Sequence, residues 1–145
     1  MRLVLQRVTH AQLRIDHQII HHMQQGLVVL VGVAPTDGEN LIPVALEKIS
    51  TLRIFADAAG KTNLSLLDIQ GGLLLVPNFT LYADARRGRR PSFTAAAPPA
   101  QAAPLFDALC ERSKTLPLRV GCGVFGADMQ VELENDGPFT LVIDL

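Results

Sequence analysis

The sequence predicts an α+β fold in which a mixed, mostly antiparallel sheet forms a barrel-like core with two main helices. Two helical patterns are preceded, separated and followed by short strand patterns, an order typical of α+β proteins. The chain has 145 residues, 48% of them hydrophobic, and is therefore large enough to bury an adequate core. It contains no internal repeat, linker or low-complexity segment. We therefore expect a single domain over residues 1–145.

The N-terminal part of the chain predicts antiparallel strands. Leu3 and Leu5 alternate with their neighbours over residues 2–8, which is the period of a strand. A second alternating run at residues 11–15 is followed by a short turn at 16–18 and then by residues 19–23, so we expect a hairpin. Further strands are predicted at residues 27–33, 63–67, 73–76, 118–124, 129–133 and 139–143.

Two segments have the periodicity of amphipathic helices. Residues 39–53 gather apolar side chains on one face, and Pro43 is tolerated because it falls in the first turn. Residues 98–116 do the same, with Cys110 on the apolar face and charged residues on the other. We expect both helices to pack against the sheet.

Composition narrows the class of protein. The net charge of −1 argues against a strongly electrostatic nucleic-acid binder overall, although it leaves local patches open. Two cysteines are too few for a disulfide scaffold, which favours a reduced compartment. No apolar run approaches the length of a membrane span, and the N-terminus enters a strand pattern without the apolar region of a signal peptide. The sequence therefore predicts a cytoplasmic protein that does not associate with membranes.

The stretch around Pro77 is the first candidate for chemistry. The apolar run Leu73–Val76 is short and aliphatic, as in a strand buried on both faces. Proline lacks the N–H that a ladder needs, so pairing should stop at Pro77 and leave the N–H groups of Asn78, Phe79 and Thr80 free. Free N–H groups at the end of a rigid strand can stabilise a developing oxyanion. The alternative is a strand that simply ends in a turn.

The segment Asn135–Thr140 is the second candidate. Asn, Asp and Gly are turn formers, so an ordinary hairpin turn between the strands at 129–133 and 139–143 is one interpretation. The other is a Gly137–Pro138 pair with a cis bond, which would set two carbonyl oxygens side by side. Gly137 has no Cβ to obstruct a ligand.

Four arginines lie within five residues of an irregular segment at 82–97. A solvated loop is the default for such a run, and an anion site for phosphates is the sharper interpretation, since arginine offers two parallel donors. Gly88 would let the loop fold around a phosphate. The four residues are Arg86, Arg87, Arg89 and Arg90.

The histidine, cysteine and threonine side chains do not indicate a metal site or a catalytic nucleophile. The four histidines fall in or beside the first hairpin without a partner at metal-ligand spacing, and we expect them to be exposed. Cys122 has no obvious histidine partner, and no sequence pattern of a nucleophilic serine, a P-loop or a dinucleotide site is present. Thr80 could be an attacking hydroxyl, but no nearby general base is evident.

Six short motifs occur in the order found in the D-aminoacyl-tRNA deacylases, and the chain resembles that family from Met1 to Leu145. Each motif alone is weak, whereas six in register are specific. They are Leu5–Val8, Arg53–Phe55 with Asn63-Leu64, Asn78–Leu81, Arg90–Phe93, Ala127–Val131 and Asn135–Thr140.

The resemblance implies a homodimer that hydrolyses the ester joining a D-amino acid, or glycine, to the 3′ adenosine of tRNA. It implies that Gly137 and Pro138 of one subunit enter the active site of the other, with Arg7 supporting them. Their carbonyls would hold the amino group of the substrate and exclude an L side chain by steric clash. The family pattern further implies that Pro77 and Met129 line the substrate site and that the arginine-rich loop binds tRNA. No side-chain nucleophile, metal or cofactor is implied, because the ribose 2′-hydroxyl assists an attacking water.

One departure from the family concerns Pro77 and Asn78, where Ser-Gln is usual. An oxyanion would then be held by the N–H groups of Asn78 and Phe79, with the Thr80 hydroxyl as a further donor. Proline at this position resembles a related branch that acts on L-alanine mischarged onto a threonine tRNA and holds its Gly-Pro bond in trans. A third alternative is a non-catalytic, dimeric tRNA-binding protein.

Overall fold

The structure is a computed structural model that describes all 145 residues. It contains eight strands, two α-helices and one turn of 3₁₀-helix. The α-helices are α1 (Leu41–Thr51) and α2 (Pro99–Ser113), and the 3₁₀ turn is Phe79–Tyr82. The strands are β1 (Arg2–Ile15), β2 (Gln18–Met23), β3 (Gly26–Gly32), β4 (Phe55–Ala56), β5 (Thr62–Leu64), β6 (Gly72–Pro77), β7 (Arg119–Cys122) and β8 (Met129–Asp144).

The long strand β1 organises a mixed sheet. One edge of β1 pairs with β8 along its whole length, and the other edge pairs first with β3 and then with β2, all antiparallel. On the far side of β3, strands β6 and β7 continue the sheet in parallel. Strands β4 and β5 form a separate small ribbon. The predicted mixed, mostly antiparallel sheet with two helices is confirmed.

The sheet curls until its two ends meet, which makes the core barrel-like. The ring of His21 in β2 lies directly on Gly121 of β7, where a Cβ would stand 2.2 Å from the His21 Cγ. Only glycine leaves room for this contact. The curl divides the core into a part beneath the helices and a part enclosed by the strands.

Strand β6 is buried on both faces, as its continuous apolar run predicts. Leu73 and Leu75 point into the part of the core beneath the helices, while Leu74 and Val76 point into the enclosed part. All four side chains are almost completely removed from solvent. Burying an aliphatic side chain of this size contributes about 1.5–3 kcal/mol, so this strand is held firmly in place.

The helices begin and end close to the predicted positions. In α1, Pro43 falls in the first turn, where its missing N–H has no intrahelical partner to lose. Pro99 opens α2, and that helix ends at Ser113, with the residues up to Leu116 forming turns. Neither helix combines the length and the apolar character needed to cross a bilayer.

The predicted division of the C-terminal region into two strands is wrong. Residues 129–133 and 139–143 belong to the single strand β8, and both pair antiparallel with β1. The segment between them therefore leaves the ladder and returns to it, rather than reversing the chain as a hairpin turn would. The same holds for β1, where the runs at 2–8 and 11–15 form one strand.

The prediction that all four histidines are exposed is wrong for His21. Its ring is half-buried against β7, and its Nε2 is buried without a hydrogen-bond partner. Burial lowers the pKa of His21 below its ordinary value of 6.5, and the positive charge of Arg119 adds to the effect. The folded protein therefore favours the neutral imidazole.

The substitution His21→Phe should flatten the pH dependence of stability. A histidine with a lowered folded pKa binds fewer protons than in the unfolded chain, so wild-type stability falls as the pH drops below about 6.5. Phenylalanine keeps the ring on Gly121 and does not titrate. We expect the free energy of unfolding in urea to fall less between pH 7.5 and pH 5 for the variant than for the wild type. The exposed His22→Phe serves as control, and an equal slope for His21→Phe and the wild type would contradict this assignment.

Candidate active site

The candidate site lies at the end of β6, where this strand loses its neighbour along one edge only. Strand β6 remains in register with β3 as far as Pro77, but it pairs with β7 only as far as Leu75. The last bond on the β7 side joins the Gly123 N–H to the Leu75 carbonyl at 2.7 Å. Pro77, the next residue whose backbone faces β7, has no N–H to offer. The sheet therefore opens beside Pro77.

The prediction of three free N–H groups beyond Pro77 is wrong in two places. The Asn78 N–H donates to the Val31 carbonyl of β3 at 2.8 Å, so pairing with β3 continues one residue past the proline. The Thr80 N–H donates to the Asn78 Oδ1 at 3.0 Å, and the Thr80 hydroxyl donates to the same oxygen. The Phe79 N–H takes no part in these bonds.

Two donors remain at the end of β6. Main-chain N–H groups alternate between the two neighbours of a strand, and the Asn78 N–H points to β3, so the Phe79 N–H lies on the open side. The Asn78 side chain uses its oxygen to cap the 3₁₀ turn, and its Nδ2 donates no hydrogen bond within the protein. The Phe79 N–H and the Asn78 amide are thus available to an oxyanion.

A pocket of about 520 Å³ opens at this point. Its wall is mostly apolar, and no charged side chain lines it. The rings of Phe79 and Phe93 meet edge to face, with centroids 5.1 Å apart, and both are substantially exposed. The residues that line the pocket are Pro77, Asn78, Phe79, Phe93, Ala96, Ala97, Pro98, Pro99, Phe125, Gly126, Ala127 and Met129.

The close packing of Pro77 against Met129 depends on Gly123, which no sequence motif marks. A Cβ on Gly123 would stand 2.8 Å from the Met129 sulfur and 2.9 Å from the Pro77 ring. Pro77 and Met129, the two residues that the family pattern assigns to the substrate site, therefore lie side by side in the structure. Phe93 and Phe125 complete the wall from loops distant in sequence, and no local pattern in the sequence distinguishes them from core residues.

The segment Asp136–Phe139, here called the Gly-Pro loop, projects from β8 at a different place. The Gly137–Pro138 bond is cis, and both residues are exposed. Arg7 holds the loop: its guanidinium pairs with Asp136 at 3.0 Å and lies 4.8 Å above the ring of Phe139. The same guanidinium donates to the Ile54 carbonyl at 2.6 Å, which fixes the loop to the segment that connects α1 with β4.

Within one chain the Gly-Pro loop and the pocket are far apart. Neither Gly137 nor Pro138 lines the pocket, whereas Met129 does. Met129 and Asn135 lie on the same continuous strand, six residues apart, which is about 20 Å at the rise of an extended chain. The loop and the pocket of a single chain therefore do not form one site.

Comparison with known proteins decides the family. The family model for D-Tyr-tRNA(Tyr) deacylase matches residues 4–144. Curated proteins called D-aminoacyl-tRNA deacylase are similar over the whole chain. Those from Lactobacillus delbrueckii and Ectopseudomonas mendocina are 50% and 48% identical to it, and in both cases the alignment covers 100% of each chain. The chain belongs to the D-Tyr-tRNA deacylase family.

Solved structures agree with this fold. A structure described as c-Myc DNA Unwinding Element Binding Protein is 34% identical, with a TM-score of 0.92, and the match covers 100% of this chain and 99% of the other. A structure described as a probable eukaryotic D-amino acid tRNA deacylase is 18% identical, with a TM-score of 0.87 over 99% and 98% of the two chains. The second likeness concerns the fold alone. As its name states, the deacylase family consists of hydrolases, so the chain belongs to a family of enzymes.

The arginine-rich loop lies beyond the 3₁₀ turn and is closed by a bridge in which Asp84 and Ser92 exchange two main-chain hydrogen bonds. Arg86 is not free within it, because its guanidinium donates twice to the Asp84 carboxylate. This pairing lowers the pKa of Asp84. The other three, Arg87, Arg89 and Arg90, are exposed and form no ion pair.

The remaining reactive groups lie outside the pocket. Cys110 of α2 and Cys122 of β7 are neighbours in the core, and their hydrogen bond together with burial raises the pKa of the Cys110 thiol. Neither sulfur lines the pocket. No group of three or more His, Cys, Asp or Glu residues is arranged to hold a metal ion. The groups that line the pocket therefore favour stabilisation by amide donors over attack by a side chain.

Proposed function

We propose that the protein hydrolyses the ester that joins a D-amino acid to the 3′-terminal adenosine of tRNA, and the corresponding glycyl ester on alanine tRNA. The observation that carries this proposal is the open end of β6. It presents the Phe79 N–H and the Asn78 amide to an apolar pocket that lacks charged groups. Together with the family membership, this arrangement suits a neutral ester whose carbonyl becomes an oxyanion.

In the proposed reaction the attacking group is water. Its oxygen bonds to the ester carbonyl carbon while the carbonyl oxygen becomes an anion that accepts hydrogen bonds from Phe79 and Asn78. The ribose 2′-hydroxyl assists by positioning the water. The oxyanion then re-forms a carbonyl while the bond between the acyl carbon and the ribose 3′ oxygen breaks. The 3′ oxygen takes the proton that the attacking water gives up, and free amino acid and tRNA leave. Donors that already point to the oxyanion position need no reorganisation during this step, which is why they can replace a nucleophilic side chain.

The substrate site is proposed to be completed by a second copy of the chain. The Gly-Pro loop is exposed and rigidly supported by Arg7, yet it lies far from its own pocket. In a homodimer the loop of one subunit would enter the pocket of the other. The carbonyls of Gly137 and Pro138 would then receive the amino group of the substrate. An L side chain would clash with the loop, and such a clash discriminates between enantiomers more sharply than one added contact.

The exposed arginines are proposed to bind the tRNA backbone. Arg87, Arg89 and Arg90 offer free guanidinium groups, whereas Arg86 is engaged by Asp84. Gly88 adopts a φ of +71°, which turns the loop sharply between them. Because tRNA is charged and used in the cytoplasm, the reaction is assigned to that compartment.

Two alternatives follow from Pro77. The first is the branch of the family that acts on L-alanyl-tRNA, which is expected to hold its Gly-Pro bond in trans, whereas the bond here is cis. The second is tRNA binding without turnover. The two donors that remain at Phe79 and Asn78 favour a catalytic protein over the second alternative.

The proposal is tested by incubating the protein with D-tyrosyl-tRNA and L-tyrosyl-tRNA and following release of the amino acid. We expect hydrolysis of the D ester and not of the L ester. The variant Ala96→Trp fills the pocket and should lower the D rate by about a hundredfold or more, since the substrate loses its position. Ala100→Trp, on the exposed start of α2 outside the pocket, is the matched control. Equal stability of both esters with and without protein would refute the proposal, and release of L-alanine from its tRNA would favour the first alternative.

Removing the free charges of the arginine-rich loop should weaken binding without changing the chemical step. For the triple variant Arg87→Ala, Arg89→Ala, Arg90→Ala we expect KM to rise about tenfold or more with kcat within about twofold of the wild type. The slope of log(kcat/KM) against log(salt) should become shallower. The control removes three exposed cations elsewhere, Lys48, Lys61 and Arg112. An unchanged KM and salt slope in the loop variant would exclude this loop from the tRNA-binding surface.

A further inference from the structure

The Gly-Pro loop receives little support from the sheet it leaves. Gln6 pairs with Thr140 and Val8 pairs with Asn135, so β1 advances by two residues while β8 advances by five. Four residues of β8, Asp136–Phe139, thus lie opposite the single residue Arg7 and have no partner in the ladder. A loop of this kind needs other hydrogen bonds to fix its backbone, because unpaired main-chain groups otherwise sample many conformations.

The side chain of Asn135 supplies these bonds at the base of the loop. Its Oδ1 accepts a hydrogen bond from the Phe139 N–H at 2.8 Å. Its Nδ2 donates to the Thr140 hydroxyl at 3.2 Å and lies 3.4 Å from the Phe139 carbonyl. One amide group therefore joins the two ends of the loop, as a paired residue on a neighbouring strand would.

Asn135 and Arg7 hold different parts of the loop. Arg7 contacts the side chains of Asp136 and Phe139 and limits the space around Gly137, where a Cβ would stand 3.1 Å from its guanidinium. It leaves the Phe139 N–H to Asn135. The bonds from Asn135 to the Phe139 backbone are partly buried, which shields them from competing water, whereas the bond to the Thr140 hydroxyl is exposed. The path of the backbone into and out of Gly137 and Pro138 thus depends on the Asn135 amide.

We propose that Asn135 is a positioning residue for chiral selection, because its side chain fixes the backbone that carries the Gly137 and Pro138 carbonyls. This inference rests on the proposed function of the loop and goes beyond it. A clash rejects an L side chain only if the carbonyls cannot retreat, so a loosened loop should lose discrimination before it loses hydrolysis. A rigid loop also keeps the two oxygens at a fixed separation for the amino group of the substrate.

The test compares kcat/KM for D-tyrosyl-tRNA and L-tyrosyl-tRNA in the wild type and three variants. For Asn135→Ala we expect the D-to-L ratio, that is kcat/KM for the D ester divided by kcat/KM for the L ester, to fall by about tenfold to a hundredfold. This is in line with the loss of one or two hydrogen bonds. Asn135→Asp keeps the acceptor for the Phe139 N–H and should restore part of the ratio. Gln130→Ala removes an exposed amide from the same strand and should leave the ratio unchanged. A residue that only stabilised the fold would lower both rates together and keep the ratio.

Hydrogen exchange gives a second, activity-independent measurement. The Phe139 amide should exchange about tenfold faster in Asn135→Ala than in the wild type, and at the wild-type rate in Gln130→Ala. If the wild type prefers the D ester and Asn135→Ala keeps the same D-to-L ratio, the inference is overturned while the proposed function stands. A wild type that hydrolyses neither ester would instead overturn the proposed function and the role of Asn135 with it. An unchanged Phe139 exchange rate would show that the Asn135 bond does not hold the loop.

Discussion

The site depends on where the hydrogen-bond ladder of β6 ends. Proline at position 77 cannot donate to β7, and β7 itself ends at Cys122, so the sheet is open on that side. On the other side the Asn78 N–H is still held by the Val31 carbonyl of β3. The strand end is therefore anchored along one edge and open along the other. This asymmetry places the Phe79 N–H and the Asn78 amide on a rigid base that faces an apolar pocket.

This constraint explains how Pro77 is compatible with a catalytic site. Pro77 itself offers no donor, because it has neither a backbone N–H nor a side-chain hydroxyl. The next residue leaves another donor free. The Asn78 Oδ1 caps the 3₁₀ turn, and the Nδ2 of the same side chain has no hydrogen-bond partner in the protein. The short side chain of Asn78 keeps its amide close to the backbone that it caps. The proposed oxyanion donors are then a main-chain N–H and a side-chain amide, both held in place by the hydrogen bonds of Asn78.

The features that local patterns encode could be predicted from the sequence. The burial of Leu73–Val76 on both faces follows from a continuous aliphatic run, and the bounds of both helices follow from periodicity and proline positions. The predictions that were wrong, and the features that were missed, concern contacts between segments distant in sequence. The Asn78 N–H finds Val31, His21 lies on Gly121, and both halves of β8 pair with β1. Nothing within a few residues of these positions indicates such a partner, and the same is true of Phe93 and Phe125 in the pocket wall.

The central claim is that each active site combines the pocket of one subunit with the Gly-Pro loop of its partner. The most direct measurement is the D-tyrosyl-tRNA deacylase rate of mixed dimers made from the pocket variant Ala96→Trp and the loop variant Gly137→Trp. Each variant alone should be inactive. In an equal mixture about a quarter of the wild-type rate should return, because half of the randomly assorted dimers are mixed and each has one complete site. No recovery in mixed dimers that are shown to form would contradict the claim, since a site built within one chain remains damaged in every subunit.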